Sequence, residues 1–176
     1  MPRGAIILMG LRAAGKSTVG AVVARRAGLL LVEIDDRAAR RMNAPDAATA
    51  IRRDGLPAFR EAEAACLEAA LTEQGGSVIC LGGGTPTAPG AADQLRAACP
   101  PARLVYLRAT PATLRRRLES TDLSTRPSLT GKHPLEEIGA VFAERDPLYL
   151  ALADTVIDID DLGVDEVVGR VIAIAE

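Results

Sequence analysis

A short apolar segment near the start of the chain leads directly into a glycine-rich loop. The segment AIILM (5–9) precedes GLRAAGKST (10–18), which has the spacing Gly10-x-x-x-x-Gly15-Lys16-Ser17. Between a strand and a helix this pattern predicts a phosphate-binding loop, because glycines let backbone N–H groups turn inward around phosphate and the helix N-terminus adds positive potential. Lys16 can then reach the β- and γ-phosphates of a nucleotide, and the Ser17 hydroxyl can ligate Mg²⁺.

The nucleotide-binding residues predicted in this loop are consecutive: Ala13, Ala14, Gly15, Lys16, Ser17 and Thr18. Many loops of this kind carry another glycine where Ala13 stands. A Cβ at that position restricts the backbone. The loop is therefore either stiffer or weaker in nucleotide affinity, and the sequence leaves both alternatives open.

Two carboxylates follow the second predicted strand. Glu33 and Asp35 are two residues apart, so they share one face if the strand persists through them. Ligands of α/β sheets bind at the carboxyl ends of the strands. A carboxylate there can accept a hydrogen bond from a substrate hydroxyl and take its proton late in phosphoryl transfer, and we assign this role to Asp35. Asp36 is interpreted as the N-cap of the following helix.

Three consecutive glycines and two arginines extend the predicted acceptor side. The segment LGGGT (81–85) ends the third strand, and three glycines in a row indicate a backbone that approaches a ligand closely. Arg60 in AFREAE and Arg145 in AERDPLY would suit a carboxylate if they converged on one ligand. From sequence alone each arginine is more often a solvated helix residue.

The elements that must position these residues alternate between strand and helix. Short branched apolar runs predict strands at 5–9, 29–34, 77–81, 103–107 and 155–159. Helical spacing predicts helices at 17–27, 56–74, 89–98, 111–119 and 164–175, and the chain has room for at least six. This alternation is typical of an α/β fold with a largely parallel sheet covered on both sides.

One polar segment interrupts this alternation. Residues 120–134, STDLSTRPSLTGKHP, form a longer stretch than the usual loop. We interpret the segment as a lid, with Arg126 reaching a ligand. His133 at its flank is expected to be an exposed loop residue without a catalytic role.

Composition limits the function classes. A chain of 176 residues is expected to form one domain over 1–176. The net charge of -2 and an aromatic fraction of 2% disfavour nucleic-acid binding. Three scattered cysteines and one histidine form no zinc set, which indicates reduced thiols in the cytoplasm. No apolar stretch approaches the ~20 residues that cross a membrane, and neither a signal peptide nor a partner protein is indicated, so we expect a cytoplasmic monomer.

Six motifs occur in order from Ala5 to the last helix: GLRAAGKST, EID, AFRE, LGGGT, RPSLTG and ERDPLY. Together they resemble the shikimate kinase family. The loop alone is shared by many nucleotide-binding families, whereas the combination of GGG, RPSL and ERDPLY is far more specific. The resemblance implies a three-layer α/β/α P-loop kinase of the nucleoside-monophosphate-kinase type, with a five-stranded parallel sheet of order 2-3-1-4-5 and a mobile lid.

The resemblance also implies an activity, the transfer of the ATP γ-phosphate to the 3-hydroxyl of shikimate in aromatic amino-acid biosynthesis, with Mg²⁺. By motif match Asp35 would hold the reacting hydroxyl as general base. Arg60 and Arg145 would grip the shikimate carboxylate, with a backbone N–H from Gly83. Arg126 in the lid would stabilise the phosphates during transfer, beside Lys16 and Ser17 in the roles given above.

Three features depart from the family pattern. Glu33 stands where the family usually has an aspartate that helps to hold Mg²⁺. Arg116 and Arg117 are both candidates for the arginine that stacks on adenine, and the acidic segment around Asp160 occupies the expected adenine rim. Two other functions stay open: a related kinase for another small carboxylated polyol such as gluconate, and a non-catalytic ligand sensor.

Overall fold

The computed structural model describes residues 4–73, 76–120 and 133–175. The strands are β1 (Ile6–Met9), β2 (Leu30–Glu33), β3 (Ser77–Cys80), β4 (Arg103–Arg108) and β5 (Thr155–Asp158). The helices are α1 (Lys16–Ala27), α2 (Ile34–Arg41), α3 (Ala47–Asp54), α4 (Leu56–Thr72), α5 (Ala91–Ala98), α6 (Pro111–Glu119), α7 (Ile138–Leu152) and α8 (Val164–Ala175). One turn of 3₁₀-helix spans Thr85–Thr87.

The five strands form one parallel sheet in the order β2-β3-β1-β4-β5. The central strand β1 is fully buried, because Ile6 pairs with Val78 on one side and with Arg103 on the other. Parallel strands covered on both faces are expected to be apolar throughout, as β1 and β3 are. The predicted fold class and strand order are confirmed.

Helices cover both faces of this sheet. Helix α1 packs against α8 and β3. Helix α4 packs against α2, α3 and α5, and α5 also contacts α7. All strands run in the same direction, so their carboxyl ends meet at one edge. The loops after β1, β2 and β3 therefore lie together there.

The end of β2 corrects two predictions. The strand stops at Glu33, and α2 begins at Ile34, so Glu33 and Asp35 do not share a strand face. Asp35 and Asp36 instead occupy the first helical turn, where the positive end of the helix dipole favours carboxylates. Glu33 is the N-cap residue and makes no side-chain cap. The assignment of Asp36 as N-cap was therefore wrong.

Other boundaries shift by a few residues, and three helices lack predicted bounds. The helix predicted at 89–98 begins at Ala91, and that predicted at 56–74 ends at Thr72. The sequence predicts α2 only as a helix that follows Asp36, and it predicts neither α3 nor α7. The last contains Pro147 in its interior, which disfavours a helix in any sequence-based assignment.

Among the residues that the structure describes, no helix is long and apolar enough to cross a membrane. The lid predicted at 120–134 falls mostly outside the described residues, as does Arg126. His133 is exposed, as predicted. One domain over 1–176 stays a prediction.

Candidate active site

A cavity of about 700 Å³ opens at the carboxyl ends of β1, β2 and β3. It brings together every predicted site residue that the structure describes: Ala13, Ala14, Gly15, Lys16, Ser17, Thr18, Asp35, Arg60, Gly83 and Arg145. Its lining comes from the loop before α1 and from several helices, α2, α4 and α7 among them. The volume is in the range of small-molecule sites.

The glycine-rich loop is ordered by its own lysine. Lys16 Nζ donates to the carbonyl oxygens of Gly10 at 2.9 Å and Leu11 at 3.0 Å. Ala13 has a φ of 65°, so an alanine occupies the left-handed region at a cost of roughly 1 kcal/mol. Burial lowers the pKa of Lys16, and the negative charge of Asp35 partly opposes this effect. A nucleotide phosphate would replace the carbonyl partners with full negative charge.

Glu33 lies directly against the first turn of α1. Ser17 Oγ donates to Glu33 Oε2 at 3.1 Å. Burial raises the pKa of Glu33, while the Ser17 hydrogen bond acts in the opposite direction. These two oxygen donors suit Mg²⁺, which binds few protein ligands and keeps the remainder for phosphate and water. Over the described ranges, no group of three or more His, Cys, Asp or Glu side chains could hold a metal ion.

The three glycines after β3 are closely surrounded. A Cβ on Gly82 would lie 2.5 Å from Glu63 Oε1 and would clash with Asp35 Oδ1. A Cβ on Gly84 would clash with the guanidinium of Arg60. Gly83 faces the nucleotide loop, where a Cβ would lie 3.0 Å from the backbone nitrogen of Arg12. None of these glycines has a positive φ, so the segment requires space rather than left-handed backbone.

Arg60 is held by a buried carboxylate. Glu63 is completely buried and accepts hydrogen bonds from Arg60 Nη1 and from Thr85 Oγ1, the latter at 2.6 Å. Burial raises the pKa of Glu63 to about 7, and the charge of Asp35 adds to the shift. Arg60 is therefore oriented in the cavity rather than solvated, and it faces the same glycine loop as Asp35.

Arg145 and Tyr149 converge on Gly83 from α7. Arg145 Nη1 and Tyr149 Oη donate to the Gly83 carbonyl oxygen at 2.9 and 2.7 Å. Arg145 is 7% exposed, and among the described residues its buried Nε has no hydrogen-bond partner. The guanidinium therefore keeps donor capacity beyond the bond to Gly83.

The comparisons with known proteins agree with these features. A family profile described as "Shikimate kinase" matches residues 12–176. The chain is 42% identical over 156 residues to "Shikimate kinase" of Oleidesulfovibrio alaskensis, covering 87% of each. This chain belongs to the shikimate kinase family. Members of that family are ATP-dependent kinases.

Solved structures agree at the level of fold. The structure of "Shikimate kinase from Acinetobacter baumannii in complex with shikimate" has a TM-score of 0.86 at 24% identity, covering 99% of this chain and 92% of that chain. A gluconokinase from Sinorhizobium meliloti has a TM-score of 0.64 at 19% identity, covering 97% and 90%. The fold is thus shared with kinases of both acceptor types, and the fold alone does not select the acceptor.

Only one of the two candidate arginines for adenine stacking lines the cavity. Arg117 lines the cavity, and its Nη1 lies 3.4 Å from the Ala14 carbonyl oxygen, whereas Arg116 is exposed and does not line it. Asp160 near the predicted adenine rim accepts hydrogen bonds from the backbone nitrogen and hydroxyl of Thr110. It therefore joins the segment after β5 to the start of α6.

Sequence reasoning missed two residues packed behind the cavity wall, Glu63 and Tyr149, and two that line it, Arg12 and Glu137. Glu63 is one helical turn after Arg60, and this i, i+3 spacing of opposite charges was the available signal. Tyr149 follows Arg145 by four residues, but a tyrosine beside an arginine carries no comparable charge signal. Arg12 and Glu137 line the cavity, 3.9 Å apart, and no local pattern links these two residues because they are 125 positions apart.

Proposed function

We propose that this chain transfers the γ-phosphate of ATP to the 3-hydroxyl of shikimate, giving shikimate 3-phosphate and ADP. The observation that carries the proposal is the composition of one cavity. A phosphate-binding loop with Lys16 and Ser17 lines the same cavity as Asp35, Arg60 and Arg145. A cavity that offers donors for phosphates, two guanidinium groups for a carboxylate and a carboxylate for a hydroxyl fits a hydroxylated carboxylic acid as acceptor.

The nucleotide side is assigned to the loop and the first turn of α1. Backbone N–H groups of residues 13–18 and the N-terminus of α1 would bind the phosphates. Lys16 would release its two carbonyl partners and bind the β- and γ-phosphates, and this negative charge would raise its pKa again. Arg117, which already contacts the Ala14 carbonyl, is proposed to lie beside the adenine.

The acceptor side is assigned to the residues around the three glycines. Arg60 and Arg145 are proposed to bind the shikimate carboxylate, with the N–H of Gly83 as a further donor. Asp35 is proposed to accept the hydrogen bond of the 3-hydroxyl. As the hydroxyl oxygen forms its bond to γ-phosphorus, the bond from γ-phosphorus to the bridging oxygen of ADP breaks, and the hydroxyl proton goes to Asp35.

Mg²⁺ fits the pair of oxygen donors at the edge of this cavity. Ser17 and Glu33 would hold it, because their oxygens are already 3.1 Å apart and close to Lys16. When bound, the ion would neutralise negative charge on the phosphates. Glu33 takes the place of the family's aspartate, and its longer side chain still reaches the serine hydroxyl.

Three further parts of the proposal concern the lid and the state of the enzyme in the cell. Arg126 in the lid is proposed to stabilise charge on the transferred phosphate. The lid 120–134 is proposed to close over both substrates and exclude water that would hydrolyse ATP. The enzyme is proposed to act as a cytoplasmic monomer.

A coupled assay of ADP release tests the proposal. Wild-type protein with Mg²⁺ and ATP is compared in the presence of shikimate, quinate, gluconate or no acceptor. Of these four conditions, we expect ADP release only when shikimate is present. We also expect Asp35→Asn to lower kcat by about 100-fold or more, the scale of lost base catalysis. Folded protein that binds ATP but releases no ADP with shikimate would refute the proposal. Turnover with gluconate would instead support the other kinase, and acceptor binding without turnover would support the sensor.

A further inference from the structure

Two adjacent residues of α7 face in different directions, and only one of them lines the cavity. Arg145 contacts the Gly83 carbonyl, and Tyr149, about one turn later, contacts the same oxygen. Asp146 is about 100° around the helix from Arg145. It is 8% exposed and is not part of the cavity wall. A buried carboxylate next to a proposed substrate-binding arginine therefore has no place in the mechanism given above.

Asp146 is bound on both of its oxygens. Arg108 Nε donates to Oδ1 at 2.8 Å and Arg108 Nη2 donates to Oδ2 at 2.9 Å, so the pair is bidentate. The hydroxyl of Tyr106 donates to Oδ1 at 2.9 Å. These bonds lower the pKa of Asp146, so its carboxylate is charged at neutral pH.

Arg108 also contacts a second turn of the same helix. Its guanidinium lies 5.6 Å from the centre of the Phe142 ring, and Phe142 precedes Asp146 by four residues. Residues four apart lie on the same face of a helix. The arginine at the carboxyl end of β4 thus holds two successive turns of α7 by a cation–π contact and an ion pair.

The helix needs such an anchor because a proline lies between the two donors to Gly83. Pro147 has no N–H group, so the carbonyl of Ala143 lacks its helical hydrogen bond and the helix is weakened at this turn. Tyr106 packs edge-on against Tyr149, with ring centres 5.5 Å apart and planes at 82°. Asp146 immediately precedes Pro147, and Tyr106 connects it to Tyr149, about one helical turn further along α7.

We propose that Asp146 is a positioning residue for acceptor binding. Held by Arg108 and Tyr106, it fixes α7 so that Arg145 and Tyr149 both stay against the Gly83 carbonyl. The inference rests on the proposed role of Arg145 in binding the shikimate carboxylate. The nucleotide loop belongs to other elements, so loss of this anchor affects the acceptor and not ATP.

The test is Asp146→Asn, which keeps the size of the side chain and removes the charge that pairs with Arg108. We expect the KM for shikimate to rise about tenfold, the scale of coupling through a contact network, with the KM for ATP within about twofold of wild type. Calorimetric shikimate binding should weaken by the same factor. Asp146→Glu keeps the charge and is expected to recover part of the affinity. Tyr106→Phe removes only the hydroxyl and should shift the same KM in the same direction.

Asp158→Asn is the matched control. Asp158 is the exposed partner of the same arginine, at 3.5 Å from Arg108 Nη1, and its replacement should leave both KM values unchanged. An unchanged KM for shikimate in Asp146→Asn and Tyr106→Phe, or an equal rise in both substrates' KM values, would overturn the inference. Arg145→Gln separates the two proposals. If Arg145→Gln also keeps wild-type shikimate affinity, the assignment of the acceptor site fails as well. If Arg145→Gln loses shikimate affinity while Asp146→Asn keeps it, only the positioning role of Asp146 is overturned.

Discussion

Replacing Gly82 with alanine should displace the two carboxylates that meet at the acceptor side of the cavity. The added Cβ would lie 2.5 Å from Glu63 Oε1, whereas ordinary contact begins at 3.4 Å. Glu63 would have to retreat by about 0.9 Å, and Asp35, which the Cβ would meet more closely still, by a larger distance. Gly82 itself has little freedom to move away, because only the buried Leu81 separates it from the buried strand β3.

A displacement of about 1 Å of a catalytic group costs on the order of 100-fold in rate. We therefore expect Gly82→Ala to lower kcat by about 100-fold, equivalent to about 2.7 kcal/mol of transition-state stabilisation. Both carboxylates are at the far ends of their side chains, so the protein should still fold. The KM for ATP should stay within about twofold of wild type, because the atoms that a Cβ on Gly82 would meet first belong to Asp35 and Glu63 and not to Lys16 or Ser17.

The assay is ADP release with shikimate and Mg²⁺, beside thermal unfolding of each variant. Gly169→Ala in α8 is the matched control, because no described atom lies within 4 Å of a Cβ at that position. It should keep wild-type kcat and gain a little helix stability. If folded Gly82→Ala protein kept kcat within about threefold of wild type, Asp35 could not be the general base in the position that the structure gives it.

Three further predictions concern the same cavity. Gly84→Ala displaces the flexible end of Arg60 rather than Asp35. Steady-state kinetics should therefore show a rise of about tenfold in the KM for shikimate with kcat nearly unchanged. A loss of kcat equal to that of Gly82→Ala would contradict this difference between Gly82 and Gly84. Burial raises the pKa of Glu63 to about 7, so its carboxyl becomes neutral as the pH falls through that value. Because Arg60 then loses a negative charge that competes with the substrate carboxylate, calorimetry should show tighter shikimate binding at lower pH. This trend should be absent in Glu63→Gln, and a trend of opposite sign would refute the assignment. Glu33→Gln keeps the reach of the side chain without its charge and should raise the Mg²⁺ concentration at half-maximal activity roughly tenfold, whereas the exposed Asp36→Asn should not; equal Mg²⁺ dependence of the two variants would exclude Glu33 from the metal site.

Local patterns were sufficient for the sheet and for the nucleotide loop. Buried parallel strands are apolar throughout, so the run at 5–9 and the glycine spacing after it are visible without any knowledge of the partners. The strand order came from the resemblance to a family, because periodicity does not say which strands are neighbours. The end of β2 was predicted wrongly. A strand that continues through Ile34 has the same local sequence pattern as a strand that ends at Glu33 and is followed at once by a helix.

The contacts that orient the acceptor side depend on residues distant in sequence. Glu63 and Asp35 meet only because α4 and α2 pack against each other. Arg108 reaches Asp146 across 38 positions, and neither residue has a local pattern that distinguishes it from solvated charges. In a chain with 21 lysines and arginines, a functional arginine is identified by the carbonyl or carboxylate that it contacts, and those contacts are set by packing.

The three glycines show why the sequence interpretation of this segment was right about space but not about what fills it. Glycine loses more backbone freedom on folding than any other residue, so three in a row need a reason. A left-handed turn would explain one such residue, but none of the three has a positive φ. Each instead admits a different neighbour: the carboxylates at Gly82, the nucleotide loop at Gly83 and the guanidinium of Arg60 at Gly84. Three separate requirements at consecutive positions explain three glycines, and they bring the proposed base Asp35, the arginine proposed to bind the carboxylate and the nucleotide loop to one short segment of backbone.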